Sequence, residues 1–167
     1  RTAAGGSISG GTLTGTGNAS FVFSGPTTIG AITTNNGAVR FNSTAGLGGD
    51  ITVTGGNSAS FVRFDGATTT TGPVTINTGD GTITLNSTFG AGANALTLIG
   101  GELDVAAALT GSSTLTIRPN SAALPIVLAG TVGAGQLDVT AAEANFISGF
   151  SGITIGGTAQ TANTTIN

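Results

Sequence analysis

The sequence predicts an all-β fold: a single-stranded parallel β-helix, right-handed, with about eight coils of roughly 21 residues each. Three observations support this prediction. Short apolar strands recur at a nearly constant spacing, turn residues separate them, and the composition is rich in Gly and poor in charge, with 30 Gly among 167 residues and 7% charged residues. That composition is typical of many short strands and tight turns rather than of helices or disorder.

A first strand is predicted wherever an apolar residue is followed by Thr, or in one case by Asp. The eight steps are Leu13-Thr14, Ile32-Thr33, Ile51-Thr52, Val74-Thr75, Leu96-Thr97, Leu115-Thr116, Leu137-Asp138 and Ile153-Thr154. Most of them continue with another apolar residue two positions on, which is the pattern of a strand that buries alternate side chains.

A second strand is predicted between successive first strands. Its members are Phe21-Val22-Phe23, Val39-Arg40-Phe41, Val62-Arg63-Phe64, Ile83-Thr84-Leu85, Leu103-Asp104-Val105 and Ile126-Val127-Leu128. Both sets keep the same average period of about 21 residues, which fits one turn of a parallel β-helix. Looser stretches rich in Gly, Ser, Thr and Ala are expected to connect one repeat to the next.

An antiparallel sandwich is the competing interpretation, because each first strand and the second strand that follows it resemble a β-hairpin. The segment Gly79-Asp80-Gly81 illustrates the choice. A stack of coils explains why the same outward residue type recurs at the same phase, whereas a sandwich does not. We therefore expect this segment to turn a corner within one coil rather than to reverse the chain.

Stacked coils lie about 4.8 Å apart, so equivalent residues of successive coils lie above one another. The middle residues of the first strands should then form an outward threonine ladder. Its predicted members are Thr52, Thr75, Thr97, Thr116 and Thr154, with Asp138 interrupting the file. Four Phe of the second strands should form an interior stack, namely Phe21, Phe23, Phe41 and Phe64.

Composition also excludes several classes of function. The chain has no His and no Cys, and its four cations are all Arg, so the usual general bases and nucleophiles are missing and we expect neither catalysis nor a cofactor. No basic stripe exists, which argues against nucleic acid and anionic membranes as partners. No run approaches the roughly 18 apolar residues of a membrane helix.

The few carboxylates give two weak candidate sites. Glu102 and Asp104 are two residues apart and should share one outward face, where a solvated pair is more common than a catalytic one. Asp80 and Asp50 lie beside glycines, but they are single and out of phase with the Gly-Gly-x-Gly-x-Asp repeat of calcium-binding β-rolls. No metal site is therefore predicted.

Arg40 and Arg63 occupy the same middle position one coil apart, so we expect a like-charge pair that Asp65 or Asp50 relieves. This group is a candidate surface contact for an acidic sugar or a neighbouring subunit, and otherwise a surface ion cluster of small energetic weight. The threonine ladder is the second candidate, as a surface for ice or glycan. Ice binding usually needs two parallel files of Thr, and the positions beside the ladder are mixed.

The repeat resembles the β-solenoid regions of large bacterial secreted exoproteins of the filamentous-haemagglutinin type. The resemblance rests on units such as ITVTGGNSASFVRF and VTINTGDGTITL and covers nearly the whole chain. Residues 137–157 are similar to a segment that recurs near the ends of solenoid blocks, so we expect them to form an atypical terminal coil. The resemblance implies a secreted, cell-surface protein with a structural or adhesive role.

Residues 1–167 are predicted to form one solenoid block, either alone or within a longer repetitive chain. A parallel solenoid exposes backbone hydrogen-bonding groups at both ends, and neither end carries a charged amphipathic cap. We therefore expect self-association by end-to-end stacking into a fibre, or stacking on adjacent solenoid blocks in an adhesin stalk. A binding module that uses the outward ladder on ice or a surface glycan is the alternative.

Overall fold

A computed structural model describes the backbone of residues 2–3 and 8–167, and the side chains from residue 10 onward. Almost all of the regular structure is β. In chain order the elements are β1 Thr2–Ala3, β2 Ile8–Thr14, β3 Phe21–Phe23, β4 Thr27–Asn35, β5 Ala38–Phe41, β6 Ala45–Leu47, β7 Ile51–Thr54, β8 Phe61–Phe64, β9 Thr68–Thr70, β10 Val74–Asn77, β11 Thr82–Leu85, β12 Phe89–Gly92, β13 Leu96–Ile99, β14 Glu102–Val105, β15 Leu109–Gly111, β16 Thr114–Arg118, β17 Ile126–Leu128, β18 Leu137–Val139, α1 Ala141–Ala144, β19 Ile147–Ser148, β20 Gly152–Ile155 and β21 Thr164–Ile166.

The strands form three sheets in which every described pairing is parallel. Six strands, β1-β3-β5-β8-β11-β14, make the six-stranded sheet, and a twelve-stranded sheet holds most of the others. The strands β18, β17 and β21 make a separate three-stranded sheet. Parallel pairing between elements about one repeat apart is that of a β-solenoid, so the predicted fold class is confirmed.

The twelve-stranded sheet covers two sides of the solenoid. The long strand β4 pairs with β6 through Thr27–Ile29 and with β7 through Ile32–Asn35, so two ladders diverge from it. One ladder continues through β9, β12, β15 and β19, and the other through β10, β13, β16 and β20. From β6 onward each regular turn therefore carries three strands. The predicted connections between repeats thus contain a short third strand.

The number of coils was overestimated, because the solenoid makes about five turns rather than eight. One reason is the step at Leu137, which starts no new turn. Its strand β18 pairs with β17 in the three-stranded sheet, and β20 follows β16 directly. A second reason is that one turn of the chain separates each pair of neighbouring strands in the six-stranded sheet, so its six strands correspond to five turns.

The core is a continuous column of inward side chains. In β5 and β8 the inner residues Val39, Phe41, Val62 and Phe64 are fully buried, as their alternation predicts. The rings of Phe23, Phe41 and Phe64 stack with centroids 4.8 and 4.9 Å apart, which matches the expected interior stack. Phe21 is only partly buried beside Phe23, and Phe89 of β12 closes the stack with an edge-on contact.

The segment Gly79-Asp80-Gly81 turns a corner, and the hairpin interpretation is wrong. The strands on its two sides, β10 and β11, belong to different sheets. The Asp80 N–H donates to the Gly56 carbonyl at 3.0 Å, one coil away, and Gly79 has a φ of +66°. The left-handed backbone at Gly79 explains why glycine suits this corner.

Candidate functional site

The threonine ladder is shorter than the sequence predicts. Thr75, Thr97, Thr116 and Thr154 occupy equivalent positions in successive strands. Asp138 does not interrupt this file, because it lies in the three-stranded sheet opposite Val127. Thr116 therefore pairs directly with Thr154.

Thr52 lies outside that ladder because the register shifts by two residues between β7 and β10. Ile51 is opposite Ile76, and Thr52 is opposite Asn77 rather than Thr75. The side chain of Asp50 occupies the resulting gap and accepts a hydrogen bond from the Thr75 N–H at 2.7 Å. Thr52 instead continues a separate file with Thr33.

A second threonine file does not flank the ladder. On one side of the ladder the next positions of the same phase are Asn77, Ile99 and Arg118, of which Ile99 is buried. On the other side they are Pro73, Ala95 and Thr114. Residues of such different shape and charge do not give a flat, repeating array of hydroxyl and methyl groups. The ladder is therefore one threonine wide, and this arrangement does not favour ice binding.

Arg40 and Arg63 are directly opposite each other on β5 and β8, and Asp65 lies between them. The Asp65 carboxylate accepts from Arg40 Nε at 2.8 Å and from Arg63 Nε at 2.7 Å. Asn86 Nδ2 adds a third hydrogen bond at 2.8 Å. Burial raises the pKa of Asp65, but the hydrogen bonds from Asn86, Arg63 and Arg40 outweigh it, so the pKa lies below its ordinary value. The carboxylate therefore stays ionised between the two cations.

Carboxylates end the six-stranded sheet at β14. Alternate N–H groups of this strand point away from β11, toward the position of a further strand. The Leu103 N–H is satisfied by Glu102 Oε1 at 3.1 Å, and the Val105 N–H by Glu143 Oε1 at 3.2 Å. We call Glu102, Asp138 and Glu143, together with the edge of β14, the acidic seam. Side chains thus replace the missing strand, which is one way to close a sheet edge.

Each member of the acidic seam has a distinct environment. Asp138 is 1% exposed and accepts from the Gly133 N–H and from Gln136 Nε2, both at 2.7 Å. Glu143 also closes a capping box with Thr140 at the start of α1. Burial, followed by repulsion from Asp138, Glu143 and Asp104, raises the pKa of Glu102 to about 7.

Sequence reasoning identified Glu102 and Asp104 but missed Asp138 and Glu143. Glu102 and Asp104 do lie on the same outward side of β14, yet two of the three carboxylates that raise the pKa of Glu102, Asp138 and Glu143, come from the segment after β17. The Thr140-x-x-Glu143 spacing was a readable signal for a capping box and a helix start. Nothing in the local sequence of β14 indicated that Glu143 would reach Val105.

Asp50 and Asp80, the weak calcium candidates, lie in separate places. Asp50 bonds to the backbone of β10, and Asp80 Oδ1 accepts from Asn120 Nδ2 at 3.2 Å. Among the described residues no three His, Cys, Asp or Glu side chains converge as a metal site would require. No helix in the described part of the chain is long and apolar enough to cross a membrane.

Comparisons of the chain with protein-family models, with curated proteins and with solved structures found no match.

A groove of about 580 Å³ runs beside the acidic seam, between the six-stranded and three-stranded sheets. Asp80, Glu102, Leu124 and Gln136 are among the residues that line it. Asp80 and Glu102 are the ionisable side chains of this groove, and the rest of its lining is uncharged.

Proposed function

We propose that this chain is a non-catalytic structural block that builds a secreted, cell-surface fibre or an adhesin stalk, and that it extends by end-to-end stacking of coils. The observation that carries this proposal is the exposed apolar core at the last turn. Ile153 of β20 is in register with Leu115 of β16, a fully buried core position. Ile153 is nevertheless 49% exposed, because no described coil covers it.

The same turn offers unpaired backbone. The strands β19, β20 and β21 each pair on one side only within the described part of the chain. Ile166 of β21, in register with Leu128, is 76% exposed. An added coil would bury both isoleucines and satisfy the open N–H and C=O groups. Burial of each isoleucine would contribute about 1–2 kcal/mol, and each new backbone hydrogen bond about 0.5–1.5 kcal/mol.

The opposite end of the solenoid also has an open strand edge and an incompletely buried core residue. Among the described strands β2 pairs only with β4, and Leu13 of β2 is incompletely buried although it is in register with the buried Ile32. Two ends that both present strand edges and unfinished core can stack on each other through parallel pairing. Stacking of this head-to-tail type is heterologous and does not close, so it produces a filament.

Residue chemistry supports the rest of the proposal. The absence of His and Cys favours a non-catalytic role. The repeat units resemble those of secreted bacterial exoproteins, which supports an extracellular, cell-surface location. A rigid rod with charged faces fits a stalk or a matrix fibre better than it fits a small-molecule receptor.

Electron microscopy of the purified protein tests this proposal. We expect filaments with an axial repeat that is a multiple of about 4.8 Å. Ile153→Lys places a charge on the open core and should abolish filaments while circular dichroism still shows a β fold. Val132→Lys is the matched control, since Val132 is 72% exposed in the loop between β17 and β18 and is not part of a strand. Monomeric particles from the unmodified protein, or filaments unaffected by Ile153→Lys, would overturn the proposal.

A further inference from the structure

The outer face of the six-stranded sheet carries an ordered run of charge along the solenoid axis. Strand registers place five side chains in one outward file: Val22, Arg40, Arg63, Thr84 and Asp104. The positions on either side of them in each strand point inward and are buried in the core, apart from Phe21. The file is therefore basic toward β5 and β8 and acidic at β14.

The basic end has donors left for a partner. Toward described residues, the hydrogen bonds of Arg40 and Arg63 both leave from Nε and both go to Asp65. The terminal nitrogens of the two guanidinium groups thus remain available to a further acceptor, and 42% and 40% of the two side chains is exposed. One carboxylate between two cations leaves a net charge of about +1.

The acidic end is also unpaired within the described chain. Asp104 is exposed, and both ion pairs among the described residues involve Asp65 instead. Adjacent strands lie about 4.8 Å apart, so three strand steps separate Arg40 from Asp104 by about 14 Å. A single chain cannot bring these two charges together.

A second copy can do so. We propose that two solenoids associate side by side and antiparallel through this face, about a twofold axis between the rows of Arg63 and Thr84. That operation places Arg40 of each copy opposite Asp104 of the other, and Arg63 opposite Thr84. Each contact then occurs twice, as in any isologous interface. The arrangement follows from the order of charges in the file and does not depend on end-to-end stacking.

An acidic polysaccharide is the rival occupant, and the face fits it less well. A polyanion lying along the file would meet Asp104 about 14 Å from Arg40. Asp65 also already neutralises one of the two positive charges. The second copy uses both ends of the file, whereas the polyanion uses one end and is repelled by the other.

The size of the face predicts a weak, salt-sensitive contact. Five strands of about four residues cover roughly 300 Å², well below the ~800 Å² per partner of a standard stable interface. Charge pairs at the rim of a small contact are strongly screened by salt. In a filament the same contact would recur along the axis, so many weak contacts would add up to lateral bundling.

Sedimentation equilibrium with paired charge reversals tests the proposal. Every variant also carries Ile153→Lys, which blocks end-to-end stacking, so that filaments do not hide the dimer. At about 20 mM salt we expect Ile153→Lys itself to form a reversible dimer that dissociates at about 500 mM salt. Arg40→Asp alone and Asp104→Arg alone each create two like-charge contacts and should raise the dimer Kd at least about tenfold. Mixing the two variants restores both opposite-charge contacts, so the mixture should dimerise although neither variant does by itself.

One further variant serves as a control. In the same Ile153→Lys background, Arg118→Asp removes a cation from a different face and should leave the dimer unchanged. Circular dichroism and urea unfolding must show that each variant is folded, and Asp104→Arg leaves the contacts of Asp65 intact. A monomer at all salt concentrations, or a mixture that stays monomeric, would overturn the proposal. Arg40-dependent binding of a sulfated oligosaccharide by a monomeric protein would overturn it too and assign the face to acidic saccharide.

Discussion

The carboxylate of Glu143 accepts a hydrogen bond from the backbone N–H of Val105, across 38 residues of chain. Val105 ends the last strand of the six-stranded sheet, and this N–H points to where a further strand would pair. Glu102 performs the same task for Leu103. The sheet therefore stops because two acidic side chains occupy the hydrogen-bonding positions of the next strand, while the two ladders of the twelve-stranded sheet continue past it.

Replacing Glu143 should destabilise the protein. Glu143→Ala leaves the Val105 N–H buried without an acceptor and removes the capping box of α1, so we expect a loss of about 2–3 kcal/mol. Glu143→Gln keeps one acceptor oxygen and should cost about 1 kcal/mol. The free energy of unfolding in urea measures both. Asp104→Ala, an exposed carboxylate on the same strand, is the control and should stay within about 0.5 kcal/mol.

Stability should fall as the pH rises through the titration of Glu102. The folded-state pKa of Glu102 is about 7, against an ordinary value of 4.5. Between these two values the folded chain holds the proton more tightly than the unfolded chain, so each rise in pH favours unfolding. Because Glu102 is partly exposed and solvent screens its neighbours, we expect a loss of about 1 kcal/mol between pH 5 and pH 8.

Glu102→Gln isolates that contribution. The amide cannot ionise, so unfolding curves of this variant should change less between about pH 5 and pH 8 than those of the unmodified protein. Asp65 does not confuse the comparison, since its lowered pKa affects stability only below its ordinary value of 3.8. An unmodified protein whose stability rises with pH in this window would contradict the assigned pKa of Glu102.

Sequence reasoning predicted the fold class because inward and outward residues alternate locally in every repeat, and alternation does not depend on distant contacts. It also predicted that Arg40 and Arg63 would lie opposite each other and that Asp65 or Asp50 would relieve their repulsion; the structure has Asp65 there, whereas Asp50 bonds to the Thr75 N–H. It placed Thr52 in the wrong file because register depends on the corners between strands. The length of the step did not reveal that shift, because the 23 residues from Ile51 to Val74 come with a shift whereas the 22 residues from Val74 to Leu96 do not.

The contacts of the acidic seam were not predicted from the sequence, for a different reason. Its geometry depends on where the chain goes after β17, and the Leu137 step imitates a first strand although it joins the three-stranded sheet. Val139 and Leu137 are buried there as they would be in a regular coil. A repeat pattern specifies which side chains point inward, but it does not specify which sheet a strand joins.

Removing Asp65 should expose the repulsion between Arg40 and Arg63. Asp65→Asn should cost about 1 kcal/mol at low salt, and less at high salt, where the like charges are screened. Adding Arg63→Thr to Asp65→Asn removes one of the two charges and should recover part of the loss. Urea unfolding at two salt concentrations measures these effects. If Asp65→Asn lowers the free energy of unfolding equally at both salt concentrations, the loss comes from packing rather than from charge.

The corner at Gly81 should reject any side chain. A Cβ at this position would lie 2.1 Å from the Ser60 carbonyl oxygen of the preceding coil, so Gly81→Ala must push the two coils apart. We expect a loss of at least about 2 kcal/mol in the free energy of unfolding. Gly90→Ala is the matched control, because a Cβ on this β12 residue meets nothing nearer than the Thr68 carbonyl oxygen at 3.9 Å. That change should be neutral or slightly stabilising, since alanine restricts the unfolded chain. Equal losses for the two variants would mean that the coils do not approach each other closely at the Gly79-Asp80-Gly81 corner.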